Sequence, residues 1–295
     1  MNLVKVSVVI PVKNRLKSLT RALTSVLHQK EQDFEVLIVD NASESSQQAA
    51  KLAGQFDERF KFLVCAEGNA NAARNMGVEA AQGNYIAFLD SDDEWLPDHL
   101  TECLREIKEQ SVDLIYGGAQ INNGQKIWAM KSWQKRDHQS MLSFYFDGGT
   151  APTPSLFGRT ECIKQVRWDQ SLNRHQDYDF CIRFSQQFSL GFKKEITVTI
   201  HWLESEKRGL TKTDIDKFVN KHGLNNNQLF HNRYFLKICA DRAWENDEVR
   251  KYILREIWRY PRYSSFVRYK DTLKVNTKKQ EFLLRLYYSF KICFG

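Results

Sequence analysis

The sequence predicts an α/β protein whose mostly parallel sheet is covered by helices on both faces. Over roughly the first 120 residues, short β-branched apolar runs alternate with segments in which apolar residues recur at helical spacing. The predicted strands are apolar along their whole length, which is typical of strands buried on both faces. Alternation of this kind favours a layered α/β architecture over a helix bundle or a sandwich.

The predicted elements follow one another in a regular order. Leu16, Leu19 and Leu23 share one helical face after the first strand, and Ser43 is placed to cap a helix that ends near Ala53. Pro97 is placed in the first turn of a helix that ends near Lys108. The five predicted strands are Val6–Ile10 (ended by Pro11), Phe34–Val39, Phe60–Val64, Tyr85–Leu89 and Asp113–Tyr116.

Beyond residue 120 the pattern is mixed. Residues 146–156 are predicted to form a loop, residues 177–187 a helix and residues 197–200 a β-branched strand. The net charge of +7 is uneven, because residues 221–295 carry +9 and the first 220 residues carry −2. We therefore expect two regions: an α/β domain over 1–215 and a basic, aromatic, helical region over 216–295.

The C-terminal region mixes aromatic residues with lysines and arginines, and Phe282, Leu286 and Phe290 fall on one helical face. Such a mixture suits the headgroup boundary of an anionic membrane. The alternative is a helical appendage that packs on the catalytic domain and leaves its basic face in water. The sequence leaves both interpretations open.

Several classes of protein are excluded or disfavoured by composition. With 42% hydrophobic and 27% charged residues the chain is not wholly disordered, and it has no apolar run of about 18 residues that could span a membrane. The start of the chain lacks the pattern of a secretory signal, and the six cysteines lack the spacing of a zinc site or a disulfide framework. We expect a cytoplasmic protein with free thiols.

Four carboxylates lie within five residues, directly after the fourth predicted strand: Asp90, Asp92, Asp93 and Glu94. Unit charges about 5 Å apart repel by roughly 3 kcal/mol at an effective dielectric constant of 20. In an extended segment Asp90 and Asp92 project to the same side, which suits a hard divalent cation together with a ribose hydroxyl. The alternative is that these acids complement the dipole of the helix that follows them.

With these residues in view, the chain resembles the inverting family 2 glycosyltransferases, over about residues 4–212. The resemblance rests on five motifs in the same order: Val6–Pro11 with Asn14 and Arg15, Phe34–Asn41 with Ala42 and Ser43, Asn71–Gly77, Asp90–Asp93 (an Asp-X-Asp signature) and Gln176–Phe180. It implies a GT-A fold, a Rossmann-like nucleotide-binding sheet with helices on both faces, followed here by a C-terminal helical appendage.

The resemblance also implies roles for individual residues. Asp177 is the expected catalytic base, and Gln176, which stands where the family usually has Glu, is expected to contact the acceptor together with Trp95. Asp92 and His201 are the expected ligands of Mn²⁺ or Mg²⁺. The expected nucleotide-binding residues are Pro11, Asn14, Arg15, Asp40 (or its neighbour Asn41), Arg74, Asp90 and Ser91.

The activity implied is inverting transfer of a hexosyl or N-acetylhexosaminyl group from a nucleotide-sugar, expected to be a UDP-sugar, to a saccharide or lipid-linked saccharide. The implied setting is synthesis of bacterial surface polysaccharide or lipopolysaccharide, peripheral on the inner face of the cell membrane. No nucleic acid partner is expected.

Other functions remain as alternatives from the sequence. A nucleotidylyltransferase or a dinucleotide-dependent dehydrogenase would need a glycine-rich loop after the first strand, and residues 11–15 contain no glycine. A non-enzymatic membrane or nucleic-acid binder driven by the C-terminal region would leave the acidic segment and Asp177 without a purpose.

Overall fold

The structure is a computed structural model that describes residues 4–130, 132–202, 209–227, 230, 231, 233–235, 238 and 247–258. The chain divides into two compact units, Met1–Arg208 and Gly209–Gly295. No helix in these described stretches is both long enough and apolar enough to cross a bilayer. The predicted membrane-facing helix around Phe282–Phe290 lies outside the described residues.

The first unit contains eleven strands among its described residues: β1 (Val6–Val12), β2 (Phe34–Asn41), β3 (Phe60–Cys65), β4 (Tyr85–Phe88), β5 (Glu94–Trp95), β6 (Leu114–Gly117), β7 (Ala119–Asn122), β8 (Ile127–Met130), β9 (Phe157–Arg159), β10 (Leu190–Lys193) and β11 (Val198–His201). Its helices are α1 (Leu16–Leu27), α2 (Ser46–Ala53), α3 (Ala70–Ala80), α4 (His99–Glu109), α5 (Met141–Phe146), α6 (Thr160–Val166) and α7 (Gln176–Phe184).

The main sheet has seven strands in the order β10-β6-β9-β4-β1-β2-β3. Every pairing within it is parallel except those of β9, which lies antiparallel between β4 and β6. A smaller sheet has the order β5-β11-β7-β8. The predicted α/β class with a mostly parallel sheet is confirmed.

The residues of β1 show why this sheet is buried on both faces. Val8 and Ile10 belong to a core formed with α1, α2 and α4, whereas Val9 points to the opposite face, against α3. Gly77 allows that close approach, because a Cβ at this position would lie 2.5 Å from a Val9 methyl group. Helical layers on both faces of the sheet are the reason that every residue of β1 and β2 is buried.

The end of β1 and the starts of α2 and α4 differ from the boundaries predicted from the sequence. Contacts with other elements explain each difference. The strand β1 does not end at Pro11 but continues to Val12. The backbone carbonyl of Val9 points towards β4 and accepts a hydrogen bond from the Leu89 N–H. Backbone groups two residues apart in a strand point to the same side, so the Pro11 nitrogen also points that way. It lies beyond the last β4 residue that pairs with β1. A missing N–H therefore breaks no ladder bond there.

Ser43 and Pro97 also have roles other than those predicted. The hydroxyl of Ser43 accepts a hydrogen bond from the Asn14 backbone, and α2 begins only at Ser46. The helix α4 begins at His99, two residues after Pro97, and its Leu100 N–H donates to the side chain of Gln29 at 3.0 Å. Gln29, which follows α1, therefore caps the N-terminus of α4.

The second unit contains α8 (Lys212–Lys221) and α9 (Asp247–Trp258) among its described residues. Thr211 and Asp214 form a reciprocal capping box at the start of α8. Buried aromatic residues, including Phe218, Tyr234 and Phe235, form its core. The four cysteines in the described residues (65, 103, 162 and 181) are free and buried.

Candidate active site

The site lies where the parallel strands β1, β2 and β4 end. Their carboxyl ends meet at one edge of the main sheet, the position at which open α/β sheets bind ligands. Asp40 and Asn41 form the last two residues of β2, and Asp90 follows β4 by two residues. The topology therefore brings together three of the motifs identified in the sequence.

Asp40 carries a buried carboxylate that is only half satisfied. The side chain is 1% exposed; one oxygen accepts a hydrogen bond from the Ser43 backbone at 3.2 Å, and the other has no partner among the described residues. The side-chain oxygen of the neighbouring Asn41 is likewise buried without a partner. Because an unsatisfied buried acceptor costs about 1–3 kcal/mol, this pair marks a place where a ligand N–H would stabilise the protein.

The loops after β1 and β2 are joined at Asn14. Its backbone N–H donates to the Ser43 hydroxyl, and its side-chain oxygen accepts from the Glu44 N–H, each at 2.9 Å. Asn14 and Ala42 both have left-handed backbone conformations, with φ of 54° and 53°. Asparagine tolerates this conformation better than most residues, so Asn14 fixes the path of the loop beside Asp40.

Arg74 is the buried cation of the site. Its guanidinium donates to Asp90 at 2.7 Å, to Asn71 at 2.9 Å and to Gln176 at 3.2 Å. The side chain is 6% exposed, and its guanidinium carbon lies 4.8 Å from the centre of the Trp168 ring. It therefore links the carboxylate after β4 to the first residue of α7.

The helix α3 places Arg74 and also anchors the segment that covers it. Asn69 caps this helix by accepting hydrogen bonds from two backbone N–H groups. Asn71 donates to the carbonyls of Asp169 and Leu172, and Asn75 exchanges two hydrogen bonds with the backbone of Trp168. The three asparagines explain why this motif is polar although much of the helix is buried.

The acidic segment after β4 is neutralised by arginines from the start of the chain. Asp92 forms an ion pair with Arg15, and the Asp92 carbonyl accepts a hydrogen bond from Arg21. Ser91 is buried between the two acids. The role of Arg21 was not predicted, because nothing in its local pattern distinguishes it from an exposed helix arginine.

Asp93 is buried and accepts a hydrogen bond from the His201 backbone at 3.0 Å. Burial, together with the nearby charges of Asp92 and Asp90, raises the pKa of the Asp93 carboxyl well above its usual value. The Asp93 carboxyl therefore holds its proton to a higher pH than an exposed aspartate does.

The His201 ring is placed beside Glu94, with Nε2 and the carboxylate 3.0 Å apart. In the described part of the chain, three potential ligand groups lie within 4.8 Å of one another only at Glu102, Glu106 and Glu195, which are the neighbours of Arg105 on the surface. The structure thus does not gather His201, Asp92 and a third ligand into a ready-made site.

Asp177 lies in the first turn of α7, next to Gln176. It is partly exposed, and one of its oxygens accepts a hydrogen bond from the Tyr178 N–H at 3.0 Å. Desolvation of the carboxyl group raises the pKa of Asp177 to about 6, and the negative charge of Asp90 shifts this pKa in the same direction. A carboxylate with this pKa can accept a proton near neutral pH.

The neighbouring Asp179 has a structural role, because it is fully buried and pairs with Arg183 at 2.8 Å. Stacked aromatic rings flank Asp177: the rings of Tyr145 and Tyr178 lie 3.9 Å apart, and the Tyr145 hydroxyl contacts the Asp177 carbonyl. The contribution of Tyr145 was not predicted, since its helix lay within the poorly patterned region after residue 120.

Trp95 does not lie where an acceptor sugar could stack on it. It is 3% exposed, its ring stacks on His99 at 4.3 Å, and its indole N–H donates to the Pro154 carbonyl. The expectation that Trp95 binds the acceptor is therefore corrected: its strand, β5, turns it into the core. The amide of Gln176 is likewise occupied within the protein, because it accepts a hydrogen bond from Arg74 and donates one to the Leu172 carbonyl.

Acidic and polar side chains beyond the carboxyl ends of parallel strands, including an Asp-X-Asp segment, are typical of nucleotide-binding α/β enzymes. Comparison with known proteins agrees. Residues 7–167 match the family described as Glycosyl transferase family 2. The chain belongs to this family.

Among curated relatives, the amylovoran biosynthesis glycosyltransferase AmsB of Erwinia amylovora is 31% identical over 245 residues, which are 71% of this chain and 80% of AmsB. The structure of TarS from S. aureus in complex with UDP-GlcNAc has a TM-score of 0.57 at 19% identity, covering 69% of this chain and 60% of that one.

A third similar protein is the mannosyltransferase PcManGT of Pyrobaculum calidifontis, solved with GDP-Man and Mn²⁺. Its TM-score is 0.50 at 14% identity, covering 66% of this chain and 56% of that one. At these identities the two solved structures show a common fold. The GT-A fold predicted from the sequence is confirmed.

Proposed function

We propose that this glycosyltransferase is an inverting enzyme that moves a sugar from a UDP-sugar to a hydroxyl group of a saccharide acceptor. The observation that carries the proposal is Asp177, a partly exposed carboxylate with a pKa of about 6 that follows Gln176, the residue that accepts a hydrogen bond from Arg74. The donor class is supported by the complex of TarS with UDP-GlcNAc.

The nucleotide would lie at the ends of β1 and β2. The unpartnered oxygen of Asp40 suits the N–H of a uracil ring, with Asn41 as a second acceptor and Pro11 shaping the pocket. Asn14 and Ser91 would help to shape this edge, and Arg15 and Arg74 would face the phosphates. Asp90, held by Arg74, would bind the ribose hydroxyls.

The residues present fit a divalent cation held jointly with the nucleotide. Mg²⁺ usually takes one or two protein carboxylates and completes its shell with substrate phosphates and water, and Asp92 offers such a carboxylate with 21% of its side chain exposed. His201 is a further candidate ligand, because its hydrogen bond to Glu94 uses only one ring nitrogen. A bound cation would offset the negative charge that develops on the departing diphosphate.

Asp177 would act as the general base. It would take the proton of the acceptor hydroxyl as that oxygen forms a bond to the anomeric carbon and the bond to UDP breaks. Holding both substrates at one site makes the step nearly unimolecular. A single displacement inverts the anomeric centre and requires no nucleophilic residue of the protein.

The biological setting is proposed from the relatives. AmsB is named for amylovoran biosynthesis, which supports a bacterial surface polysaccharide as the product. A lipid-linked acceptor would place the enzyme at the inner face of the membrane, and the basic residues after 220 would suit contact with anionic headgroups.

Titration calorimetry with UDP, with and without Mn²⁺, tests the proposal. We expect UDP to bind, to bind more tightly with Mn²⁺, and to lose that gain in Asp92→Asn. GDP and ADP serve as matched ligands that lack uracil. If the protein does not bind UDP under either condition, the proposed donor class is wrong. Binding that is the same with and without Mn²⁺ would remove the cation from the proposal.

A further inference from the structure

We infer that Gln176 is a positioning residue whose uncharged amide keeps the Arg74 guanidinium on Asp90 and fixes the first turn of the helix that carries Asp177. The inference rests on the proposed function, because it assigns a role within the same site. It concerns position 176, next to Asp177, where the chain carries an uncharged amide.

The neighbours of Gln176 determine the orientation of its amide. Arg74 can only donate hydrogen bonds, so the amide oxygen faces it at 3.2 Å. The Leu172 carbonyl can only accept, so the amide nitrogen faces it at 3.0 Å. Both halves of the amide are therefore used, one on each side, and the site is matched to a group that is donor and acceptor at once.

A carboxylate would not fit this arrangement. It has no hydrogen to give to the Leu172 carbonyl, so one of its oxygens would face another oxygen. The Leu172 carbonyl already accepts from Asn71 at 3.1 Å, and a negative neighbour would disturb that contact as well. The segment that covers Arg74 is thus held in place by the amide hydrogens of two side chains.

Charge balance leads to the same conclusion. Arg74 is almost completely buried, and its contacts with Trp168 and Asn71 leave it little freedom to move. Its one positive charge is matched by the one negative charge of Asp90. A second carboxylate at position 176 would compete with Asp90 for the guanidinium and would add a negative charge next to Asp177.

Gln176→Glu tests this inference by adding one charge at nearly constant shape. UDP titration should give about tenfold weaker binding, equivalent to about 1.4 kcal/mol, because Asp90 is no longer held for the ribose. Gln176→Leu removes both hydrogen bonds of the amide without adding a charge and should weaken UDP binding by a smaller factor, about threefold. Gln186→Glu, the same change at an exposed position nearby, should not alter UDP binding.

The inference is overturned if Gln176→Glu or Gln176→Leu binds UDP as tightly as the parent does. Thermal unfolding without ligand separates this outcome from a failure of the proposed function. The loss of Tm in Gln176→Glu relative to Gln186→Glu should be larger at pH 8 than at pH 4, since only the ionised carboxylate competes for Arg74. A gain of Tm at pH 8 would contradict the inference even if no UDP binds.

Discussion

Four carboxylates of the candidate site, Asp40, Asp90, Asp92 and Asp177, differ in whether an arginine pairs with them. Asp90 and Asp92 each have a guanidinium partner, Arg74 and Arg15 respectively. Asp40 and Asp177 form no ion pair with any residue that the structure describes. The paired carboxylates are electrically balanced and held in position. Each unpaired carboxylate has an oxygen that could accept a hydrogen bond or a proton from a substrate.

This difference assigns different chemistry to residues of the same type. Desolvation raises the pKa of the unpaired Asp177 to about 6, so this carboxylate can accept a proton near neutral pH. A carboxylate beside a guanidinium is instead held in place by charge-assisted hydrogen bonds. Three variants test the comparison, two in the unpaired group and one in the paired group.

The largest effect is expected from Asp177→Asn. Without a proton acceptor, transfer should slow by about 10²–10⁴-fold, while UDP binding should not change. The measurement is release of UDP from a panel of UDP-sugars, and Asp98→Asn on the surface is the matched control. In the parent, the rate should fall as the pH drops below about 6, because protonated Asp177 cannot accept a further proton.

A stability measurement on the same variant needs no substrate. Because the folded pKa of Asp177 is raised above 3.8, ionisation costs folding free energy as the pH rises through about 6. Asp177→Asn removes that cost and should gain Tm at pH 8 relative to pH 4. An equal Tm difference at both pH values would show that Asp177 is not an unpaired carboxylate.

An intermediate effect is expected from Arg74→Met, which breaks the paired region. It leaves Asp90 without a counter-ion and two amide oxygens without a donor, so the free energy of unfolding should fall by about 3 kcal/mol. UDP affinity should fall about tenfold or more. Arg105→Met, which removes an exposed ion pair with Glu102, should cost less than about 1 kcal/mol. Denaturant unfolding of both variants measures the difference, and equal losses would contradict the comparison.

The smallest effect is expected from Asp40→Asn, in the unpaired region. One amide oxygen can still accept from Ser43, but the other position becomes a donor that repels the N–H of a base. UDP affinity should fall about tenfold, with little change in stability, since the lost oxygen had no partner. Calorimetry and thermal unfolding check both parts. Undiminished UDP binding would exclude Asp40 as the contact with the base.

The sequence was sufficient for the order of strands and helices at the front of the chain and for the location of the site. Apolar β-branched runs mark buried strands whatever their partners are, and polar residues after such runs mark the edge where a ligand binds. The pattern could therefore place Asp40 near Asp90 before any contact was known, whereas the role of Asp177 was implied only by the resemblance to family 2 glycosyltransferases.

Partnerships between distant residues could not be predicted in this way. Arg74 and Gln176 are 102 residues apart, and Arg21 and Asp92 are 71 apart, so no local spacing connects them. The burial of Trp95 depends on β5 pairing with β11, which follows it by about a hundred residues. These contacts arise from the topology of the sheets, and only the folded chain shows them.

The antiparallel strand β9 joins the two halves of the main sheet, because both β4 and β6 pair with it. During synthesis, β1 to β4 can associate as soon as residue 88 has left the ribosome, whereas β6 must wait for residues 157–159. The sheet therefore cannot be completed from the N-terminus strand by strand. Its closure depends on contacts between residues far apart in the chain, so we expect β9 to pair later than β1 to β4 do.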